Sequence, residues 1–343
     1  MVLCRRPGVG AGMIFSTAAG GKKPLVHLIN PFLDAAGGAE WETLQLYEEL
    51  QPYARARLWS DRPPDPRLSR FPIRMIQPAR FRFPLGGTLV FVGAYQKCRS
   101  WLRWCRPRRV IILVNTTSRH DLERLLTRLR INGLPSPELV FVSRWQAEFM
   151  GREGIVHPSP INLQRFCPLP GRSGDGVFTI GRHSRDTLEK HHLHDPQFYR
   201  DLVVAGNRIR IMGGTCLPEA SLPQQGCEIL PTLSEPAEVF LRSLDCFFYR
   251  TSPQWHEPFG RVVLEAMACG LPVVCERRGG YSEWITDGKD GFLFDTVGQA
   301  RTILTRLKED APFRVKVGKA ARITAKNIYS AQNMRQRLAF YYA

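Results

Sequence analysis

The sequence lacks a long hydrophobic run, a paired-cysteine motif and a convincing leader segment. No apolar stretch approaches the roughly 20 residues that a membrane-spanning helix needs. Its nine cysteines are an odd number and none forms a C-x-x-C pair, which disfavours a disulfide framework or a zinc site and predicts a reducing, cytoplasmic location. Residues 1–23 are too poor in large apolar side chains for a signal peptide, so we expect a tail, with Met1 and Met13 both open as the start.

Acidic residues are scarce, and the deficit is concentrated in the first half of the chain. The 48 Lys and Arg outnumber the 31 Asp and Glu, for a net charge of +17. Residues 1–171 carry 25 basic and 12 acidic residues, a balance of +13, whereas residues 172–343 carry 23 and 19, a balance of +4. Such a field favours an anionic partner, namely a membrane surface, a phosphorylated acceptor or nucleic acid. A solvated arginine-rich surface that reflects composition alone is the alternative.

One segment of the basic half also carries aromatic side chains. Residues 96–109 place Trp101 and Trp104 among six Lys and Arg residues. This composition suits a helix in contact with lipid headgroups, and it also suits an amphipathic helix whose tryptophans pack inward, which is the plainer interpretation. Nucleic-acid binding uses similar composition, but no recognisable reading motif is present, so we expect no nucleic-acid partner.

Short apolar runs rich in β-branched residues alternate with helical patterns, which predicts α/β domains with parallel sheets. A chain of 343 residues, of which 43% are hydrophobic, is long enough for two such domains. We predict a tail over residues 1–23, a first domain over 24–168, a second domain over 169–311 and terminal helices over 312–343. The predicted strands cover residues 25–29, 56–60, 89–93, 110–114, 139–143, 177–181, 209–213, 227–230, 246–249 and 271–275.

The most informative stretch covers residues 255–295. Apolar residues at helical spacing predict a helix that begins at Pro258 and ends near Gly270. A β-branched run and a Gly-Gly pair follow, and open parallel sheets bind ligands at the carboxyl ends of such strands. Glu257 precedes the helix, and Glu265 lies within it on a largely apolar background, where a carboxylate is costly unless a partner satisfies it. A ribose diol would supply two hydroxyl donors, and a Glu265 that simply faces water is the alternative.

The same stretch resembles a known protein family. Its pattern E-P-F-G-x-x-x-L-E-A-M-A-C-G-L-P-V-V, followed by G-G-x-x-E and D-G-x-x-G-F-L, is similar to the carboxyl domain of retaining glycosyltransferases with the GT-B fold. Glu257 and Glu265 would form the E-x7-E motif of that family. The segment after the motif matches at Glu283, Asp287, Gly288 and Gly291. The resemblance implies two facing Rossmann-like domains, each with a parallel sheet, and a C-terminal helix that crosses back to the first domain.

The resemblance also implies how an activated sugar is held. Glu265 would bind the ribose of a nucleotide-sugar, and Glu257 would orient hydroxyl groups of the donor sugar. Arg182, in a G-R dipeptide at the end of a predicted strand, would neutralise the diphosphate. Lys190 is the expected second cation, with Arg185 as a competing choice. Physically, fixed cations stabilise the charge that develops on a leaving diphosphate.

Two backbone segments would assist these side chains. Gly37-Gly38 follow the first strand and resemble the glycine loop that approaches the donor diphosphate in this family, with a plain tight turn as the alternative. Phe259-Gly260 would present free N–H groups at the start of a helix. Some relatives carry a histidine where this chain has Asn115, so a histidine role there is in doubt.

The expected activity is transfer of a sugar from a nucleotide-sugar to a glycan or lipid-linked acceptor, as in the synthesis of bacterial surface polysaccharide. The resemblance implies retention of configuration and no metal or other cofactor. The acceptor would enter from the basic first domain, which predicts a cytoplasmic enzyme that also contacts the inner face of the anionic cell membrane. One alternative is a nucleotide-sugar-modifying enzyme of the same fold, such as an epimerase. Another is a non-catalytic, basic, membrane-associated binding protein.

Overall fold

The computed structural model describes residues 22–96, 100–169 and 176–343, so the tail predicted over residues 1–23 lies almost wholly outside the described residues. The first sheet contains seven parallel strands: β1 (Leu25–Ile29), β2 (Arg55–Ser60), β3 (Ile73–Met75), β4 (Thr88–Val92), β5 (Arg109–Val114), β6 (Glu138–Phe141) and β7 (Ile155–Val156). The second contains six: β8 (Thr179–His183), β9 (Arg208–Met212), β10 (Cys227–Leu230), β11 (Cys246–Tyr249), β12 (Val273–Glu276) and β13 (Phe292–Phe294).

The α-helices pack on the faces of these sheets. Those before the second sheet are α1 (Gly38–Leu50), α2 (Arg119–Ile131) and α3 (Arg144–Met150). They are followed by α4 (Asp195–Val204), α5 (Ala237–Arg242), α6 (Arg261–Ala268), α7 (Val297–Glu309), α8 (Ala311–Ile328) and α9 (Ala331–Tyr342). The two parallel α/β domains predicted from the sequence are therefore confirmed.

Strand order places a crevice in the same position in both domains. The order is β3-β2-β1-β4-β5-β6-β7 in the first sheet and β10-β9-β8-β11-β12-β13 in the second. The winding direction reverses between β1 and β4, and again between β8 and β11. Ligands of open α/β sheets bind outside the carboxyl ends of strands at such a switch point. The loops that follow these four strands are therefore the expected walls of a site.

The last two helices connect the domains. Helix α8 packs against α6 of the second domain, whereas α9 contacts β1 and β4 of the first. On α9, the ring of Tyr342 stacks on Tyr53 at 5.5 Å between centroids, and the Arg109 guanidinium lies 4.4 Å from the centroid of Phe340. On α8, Arg322 donates to the carbonyl oxygens of Phe166 and Ala268, both at 2.7 Å, which ties the interdomain link to the second domain.

Two local predictions were wrong. The helix predicted to begin at Pro258 begins at Arg261, because Gly260 has a left-handed φ of 79° that interrupts the helical backbone. The pattern over residues 96–109 does not form a long helix. Residues 97–99 lie outside the described part, and only a short 3-10 helix follows over residues 100–104, before Arg106 adopts a φ of 41° ahead of a proline. In that 3-10 helix, Trp101 is buried.

Gly318 of α8 lies directly against the backbone at the end of α6. A Cβ atom on Gly318 would come within 2.2 Å of the carbonyl oxygen of Gly270. We therefore expect Gly318→Ala to lower the free energy of unfolding by about 1–3 kcal/mol in urea denaturation, the usual scale of overpacking.

The matched control is Gly298→Ala in α7, where the nearest atom would be 3.8 Å from the new Cβ. Alanine has the higher helix propensity, so this control should be neutral or stabilising. Equal losses in both variants would contradict a tight α6–α8 contact.

Candidate active site between the two domains

A cavity of about 1380 Å³ opens between the two domains. Its walls are the loops after β1 and β5, the loops after β8 and β11, and the start of α6. Most of the residues singled out from the sequence line it, namely Gly37, Gly38, Arg185, Lys190, Glu257, Phe259, Gly260 and Glu265. Arg182 is the exception and is not part of the cavity wall.

Glu257 lies in the loop between β11 and α6 and forms a nearly buried ion pair. Its Oε2 atom accepts from Lys190 Nζ at 2.5 Å, from the Tyr249 hydroxyl at 2.9 Å and from Trp255 Nε1 at 3.3 Å. Burial alone would raise the pKa of Glu257, but the Lys190 charge and these hydrogen bonds outweigh it and hold the pKa below its ordinary value. Burial lowers the pKa of Lys190, and Glu257 opposes that shift.

Arg182, at 1% exposure, points into the second domain. Its Nη1 donates to the Arg250 carbonyl at 2.7 Å, and its Nη2 donates to the carbonyl of Lys190. The guanidinium also lies 4.8 Å from the ring centroid of Tyr249 and 3.7 Å from Asp195. These contacts hold the loop after β8 against the end of β11, so Arg182 fixes the backbone that carries Lys190.

Glu265 projects from α6 into the cavity with 6% of its surface exposed. Its carboxylate accepts from Arg261 Nη2 at 3.2 Å and lies 3.4 Å from His183 Nε2. Burial raises the pKa of Glu265, and the Arg261 charge partly opposes this shift. Burial and nearby arginines lower the pKa of His183 to about 3, so this imidazole is neutral near pH 7. A buried carboxylate between a neutral ring and one guanidinium can accept hydroxyl donors from a ligand.

The glycine loop before α1 is filled by a side chain from the same helix. A Cβ atom on Gly37 would come within 1.9 Å of the Glu40 carboxylate, which folds back over the start of α1. On Gly38 it would lie 3.6 Å from Arg261 Cδ, so this loop reaches the second domain. Burial raises the pKa of Glu40. The N-terminus of α1 is therefore covered by the Glu40 carboxylate.

The first-domain wall of the cavity is acidic, in contrast to the charge of the domain. Glu42 is 1% exposed and accepts from the Ser159 hydroxyl at 2.9 Å and from Asn115 Nδ2 at 3.4 Å. Burial raises its pKa, and Arg337 on α9 opposes this. The charged residues of the first domain that line the cavity are Asp34, Glu40, Glu42, Glu48, Arg67, Arg70 and Arg165, the last on the chain that leaves this domain. The basic excess of the first half of the chain therefore lies elsewhere.

Contacts from the first domain hold the segment that carries Glu257. The Ser143 hydroxyl, at the start of α3, donates to the Pro258 carbonyl at 2.6 Å. The Glu283 carboxylate accepts from the first backbone N–H groups of the same helix. The His256 ring stacks on Trp145 of α3 at 6.0 Å between centroids. Domain arrangement and the position of the neighbouring Glu257 are thus coupled.

Sequence reasoning missed four residues of this site. Tyr249 and Trp255 both donate to Glu257, and the position of Tyr249 at the carboxyl end of a predicted strand was a usable signal. Arg261 precedes Glu265 by four residues, the spacing of neighbours on a helix face. No sequence signal separates Glu42 from the other acidic residues of α1.

Among the described residues, no group of three or more His, Cys, Asp or Glu side chains is placed to hold a metal ion. None of the helices in the described part is both long and apolar enough to cross a bilayer. Cys246, Cys269 and Cys275 are free, buried thiols, as predicted.

Residues 202–324 match the family model described as Glycosyl transferases group 1. The matched range includes Glu257, Glu265 and Glu283 and stops before α9. The family match begins at residue 202, after Arg182 and Lys190. The positions of these two residues relative to the cavity are therefore known from the fold alone.

Curated relatives match the chain over short segments. Spore coat protein SA of Bacillus subtilis is 35% identical over 116 residues, which is 33% of this chain and 28% of that protein. D-inositol 3-phosphate glycosyltransferase of Pseudarthrobacter chlorophenolicus is 40% identical over 111 residues, which is 32% of this chain and 26% of that protein. The matches thus span about a quarter of the length of these relatives.

A solved structure matches nearly the whole chain. The crystal structure of Anabaena HepE in complex with UDP-glucose has a TM-score of 0.68 and 15% identity, and the match covers 92% of this chain and 98% of that one. At this identity the likeness shows the fold. The two-domain GT-B fold implied by the sequence resemblance is thereby confirmed.

Lys190→Met would leave Glu257 without its nearest cation. We expect it to lower the free energy of unfolding by about 3–5 kcal/mol near pH 7, because one charge of a buried pair remains uncompensated. In the native protein, the lowered pKa of Glu257 contributes stability above the ordinary carboxyl pKa, and that contribution is lost as the pH falls through the folded value. In the variant, Glu257 takes up a proton instead. The difference between the two urea unfolding curves should therefore be smaller near pH 4 than near pH 7.

The control for this prediction is Glu257→Gln in the Lys190→Met background. A neutral amide can still accept from Tyr249 and Trp255, so much of the lost stability should return. A Lys190→Met protein as stable as the native one at both pH values would show that the ion pair contributes nothing.

Proposed function

We propose that this chain is a glycosyltransferase that transfers a sugar from a nucleotide-sugar donor to a hydroxyl group of a glycan or lipid-linked acceptor. The proposal depends on the meeting of Glu257, Glu265 and Lys190 at one interdomain cavity, with both glutamates inside the segment that matches the group 1 family. The cavity volume, about 1380 Å³, exceeds the ~300–1,000 Å³ of an ordinary small-molecule pocket, which leaves room for donor and acceptor together.

The donor nucleoside would bind at α6. Glu265 would accept two hydroxyl groups of the ribose, since Arg261 is the only charged hydrogen-bond donor to its buried carboxylate among the described residues. The neutral His183 beside it adds no competing positive charge. HepE was solved with UDP-glucose, which supports a nucleotide-sugar as the class of donor.

The donor diphosphate would lie against the loop after β8. Lys190 and Arg185 both line the cavity and both contact the ring of Trp255, at 4.5 and 5.8 Å from its centroid. Two cations side by side suit the two phosphates of a leaving nucleoside diphosphate, whose charge grows as the sugar bond breaks. We therefore assign phosphate binding to Lys190 and Arg185, and a positioning role to Arg182. These cations would supply the neutralisation that other transferases obtain from a metal.

The transfer would proceed with retention of configuration. The acceptor oxygen forms a bond to the anomeric carbon while the bond from that carbon to the phosphate oxygen breaks. The leaving phosphate takes the acceptor proton on the same face of the sugar. The Oε2 atom of Glu257 already accepts from Lys190 and Tyr249, and these bonds hold the carboxylate in place. From that position Glu257 would orient hydroxyl groups of the donor sugar. The acidic wall around Glu42 favours a hydroxyl-rich acceptor over one with a phosphate at that point.

Glu265→Gln and Glu257→Ala should each reduce turnover at least ~10-fold, which corresponds to about 1.4 kcal/mol of transition-state stabilisation. The donor is first found by thermal stabilisation with a panel of nucleotide-sugars, because a ligand at 100 times its Kd adds about 2.7 kcal/mol to the free energy of unfolding. Transfer of labelled sugar from that donor to a membrane extract is then measured.

Glu309→Gln, at an exposed position on α7, is the matched control and should keep full activity. A new glycosidic product is the expected result. Release of an isomerised nucleotide-sugar without transfer would point to an epimerase-like enzyme, and normal kinetics in both site variants would remove the site assignment.

Arg182, within β8, and Arg185, in the loop after it, should differ in what their loss affects. Arg185→Gln should lower kcat with little effect on urea unfolding, since Arg185 is only half-buried and faces the cavity. Arg182→Gln should lower the free energy of unfolding by about 1–3 kcal/mol, because two buried carbonyl groups lose their donor. The opposite pattern would return the phosphate-binding role to Arg182.

A further inference from the structure

Part of the outer face of the first sheet is covered by irregular chain rather than by α-helices, whereas α2 and α3 pack on the rest of that face. The connections from β3 to β4 and from β4 to β5 contain only 3-10 turns in their described residues. Residues 76–87 and 100–108, which we call the outer segments, pack through Ile76, Trp101 and Leu102 on Phe91 and its neighbours. Helix α1 packs on the opposite face of the sheet. The outer segments therefore form a surface of their own.

This surface is strongly basic. Residues 66–120 contain twelve Lys and Arg residues and no Asp or Glu. Within the outer segments, the exposed arginines are Arg80, Arg82, Arg103, Arg106 and Arg108. Among the residues that the structure describes, none of these five forms an ion pair, whereas Arg109 and Arg119, at the edges of the region, are held by partners elsewhere. We call this surface, together with its exposed apolar side chains, the arginine face.

Large apolar side chains protrude among these arginines. Phe81 is 88% exposed, Leu85 is 58% exposed and Trp104 is 46% exposed. The two outer segments are joined by a hydrogen bond from the Gly86 N–H to the Cys105 carbonyl at 2.7 Å, and the rings of Phe83 and Trp104 lie 6.3 Å apart. The apolar and basic side chains thus belong to one continuous surface.

We propose that the arginine face docks on an anionic lipid membrane. Unpaired guanidinium groups bind lipid phosphates, and exposed aromatic and aliphatic side chains enter the boundary between headgroups and acyl chains. Leu85 favours lipid over nucleic acid, since an aliphatic side chain offers no ring on which a base can stack. The face begins near Ile76, whose N–H donates to the Ser60 carbonyl at the carboxyl end of β2. The connection from β2 to β3 lines the cleft through Arg67, Leu68 and Arg70. Docking would therefore keep the cleft beside the membrane.

Co-sedimentation with lipid vesicles tests this directly. The whole protein should bind vesicles of phosphatidylcholine with about a third phosphatidylglycerol, should not bind pure phosphatidylcholine, and should dissociate as salt is raised. Each arginine near such a surface contributes about fivefold in affinity. Changing Arg103, Arg106 and Arg108 together to Gln should thus weaken binding about 100-fold.

The matched control changes Lys316, Lys319 and Lys326 of α8 to Gln, which removes the same charge from an exposed part of the second domain. This variant should bind like the native protein. Phe81→Ser with Leu85→Ser should weaken the binding that remains at high salt, and both positions are exposed enough to leave urea unfolding unchanged.

Three results would overturn the proposal: equal binding to neutral vesicles, equal loss in the control variant, or preferential binding of an oligonucleotide that the arginine variant abolishes. The assay needs no donor or acceptor, so its failure would leave the proposed transferase activity untouched.

Discussion

The nearly buried pair of Lys190 and Glu257 is the interaction on which the site depends. Strands β8 and β11 are neighbours in the second sheet, and the pair joins the loops that follow them. Taking both charges out of water costs several kcal/mol per ion, so the pair persists only because it is well supported. Tyr249 and Trp255 donate to the carboxylate, and the Trp255 ring lies against the ammonium group. A site arranged in this way meets an anionic ligand with a fixed cation and little reorganisation.

The same constraint connects the two domains. Ser143 of the first domain binds the carbonyl next to Glu257, and Glu283 of the second domain caps the helix that Ser143 begins. Arg261 contacts both the interdomain link, at the Pro160 carbonyl, and Glu265. A change in the angle between the domains would have to break these contacts, which lie within a few residues of both glutamates. The separation of the two cavity walls and the geometry around both glutamates are therefore set together.

The sequence was informative where a residue's role depends on its immediate neighbours. The long buried strands were predicted from their runs of β-branched residues. The short strands Ile73–Met75, Ile155–Val156 and Phe292–Phe294 have too few residues to show a hydrophobic period in the sequence. The start of α6 was misplaced because the left-handed Gly260 packs against Tyr281, a contact that forms only on folding. The G-R dipeptide located a cation at a strand end, but Asp195 and two carbonyl groups, all distant in sequence, turn Arg182 inward. The proposed domain limits stay predictions.

The net charge of the first domain predicts that a partner would be anionic, but it does not indicate where on the domain the basic surface lies. Carboxylates of α1 face the cleft, and the unpaired arginines lie on the segments that replace helices on the opposite face. A sheet with packed layers, each about 10 Å from the next, separates the two surfaces. That spacing is comparable to the screening length of about 8–10 Å at physiological salt, so the charge of one surface does not cancel the electric field of the other. One domain can therefore present hydrogen-bond acceptors to a hydroxyl-rich ligand on one side and a positive field to a phosphate-rich surface on the other. The outer segments, which contain no α-helix, carry the basic side chains on the face opposite the cleft.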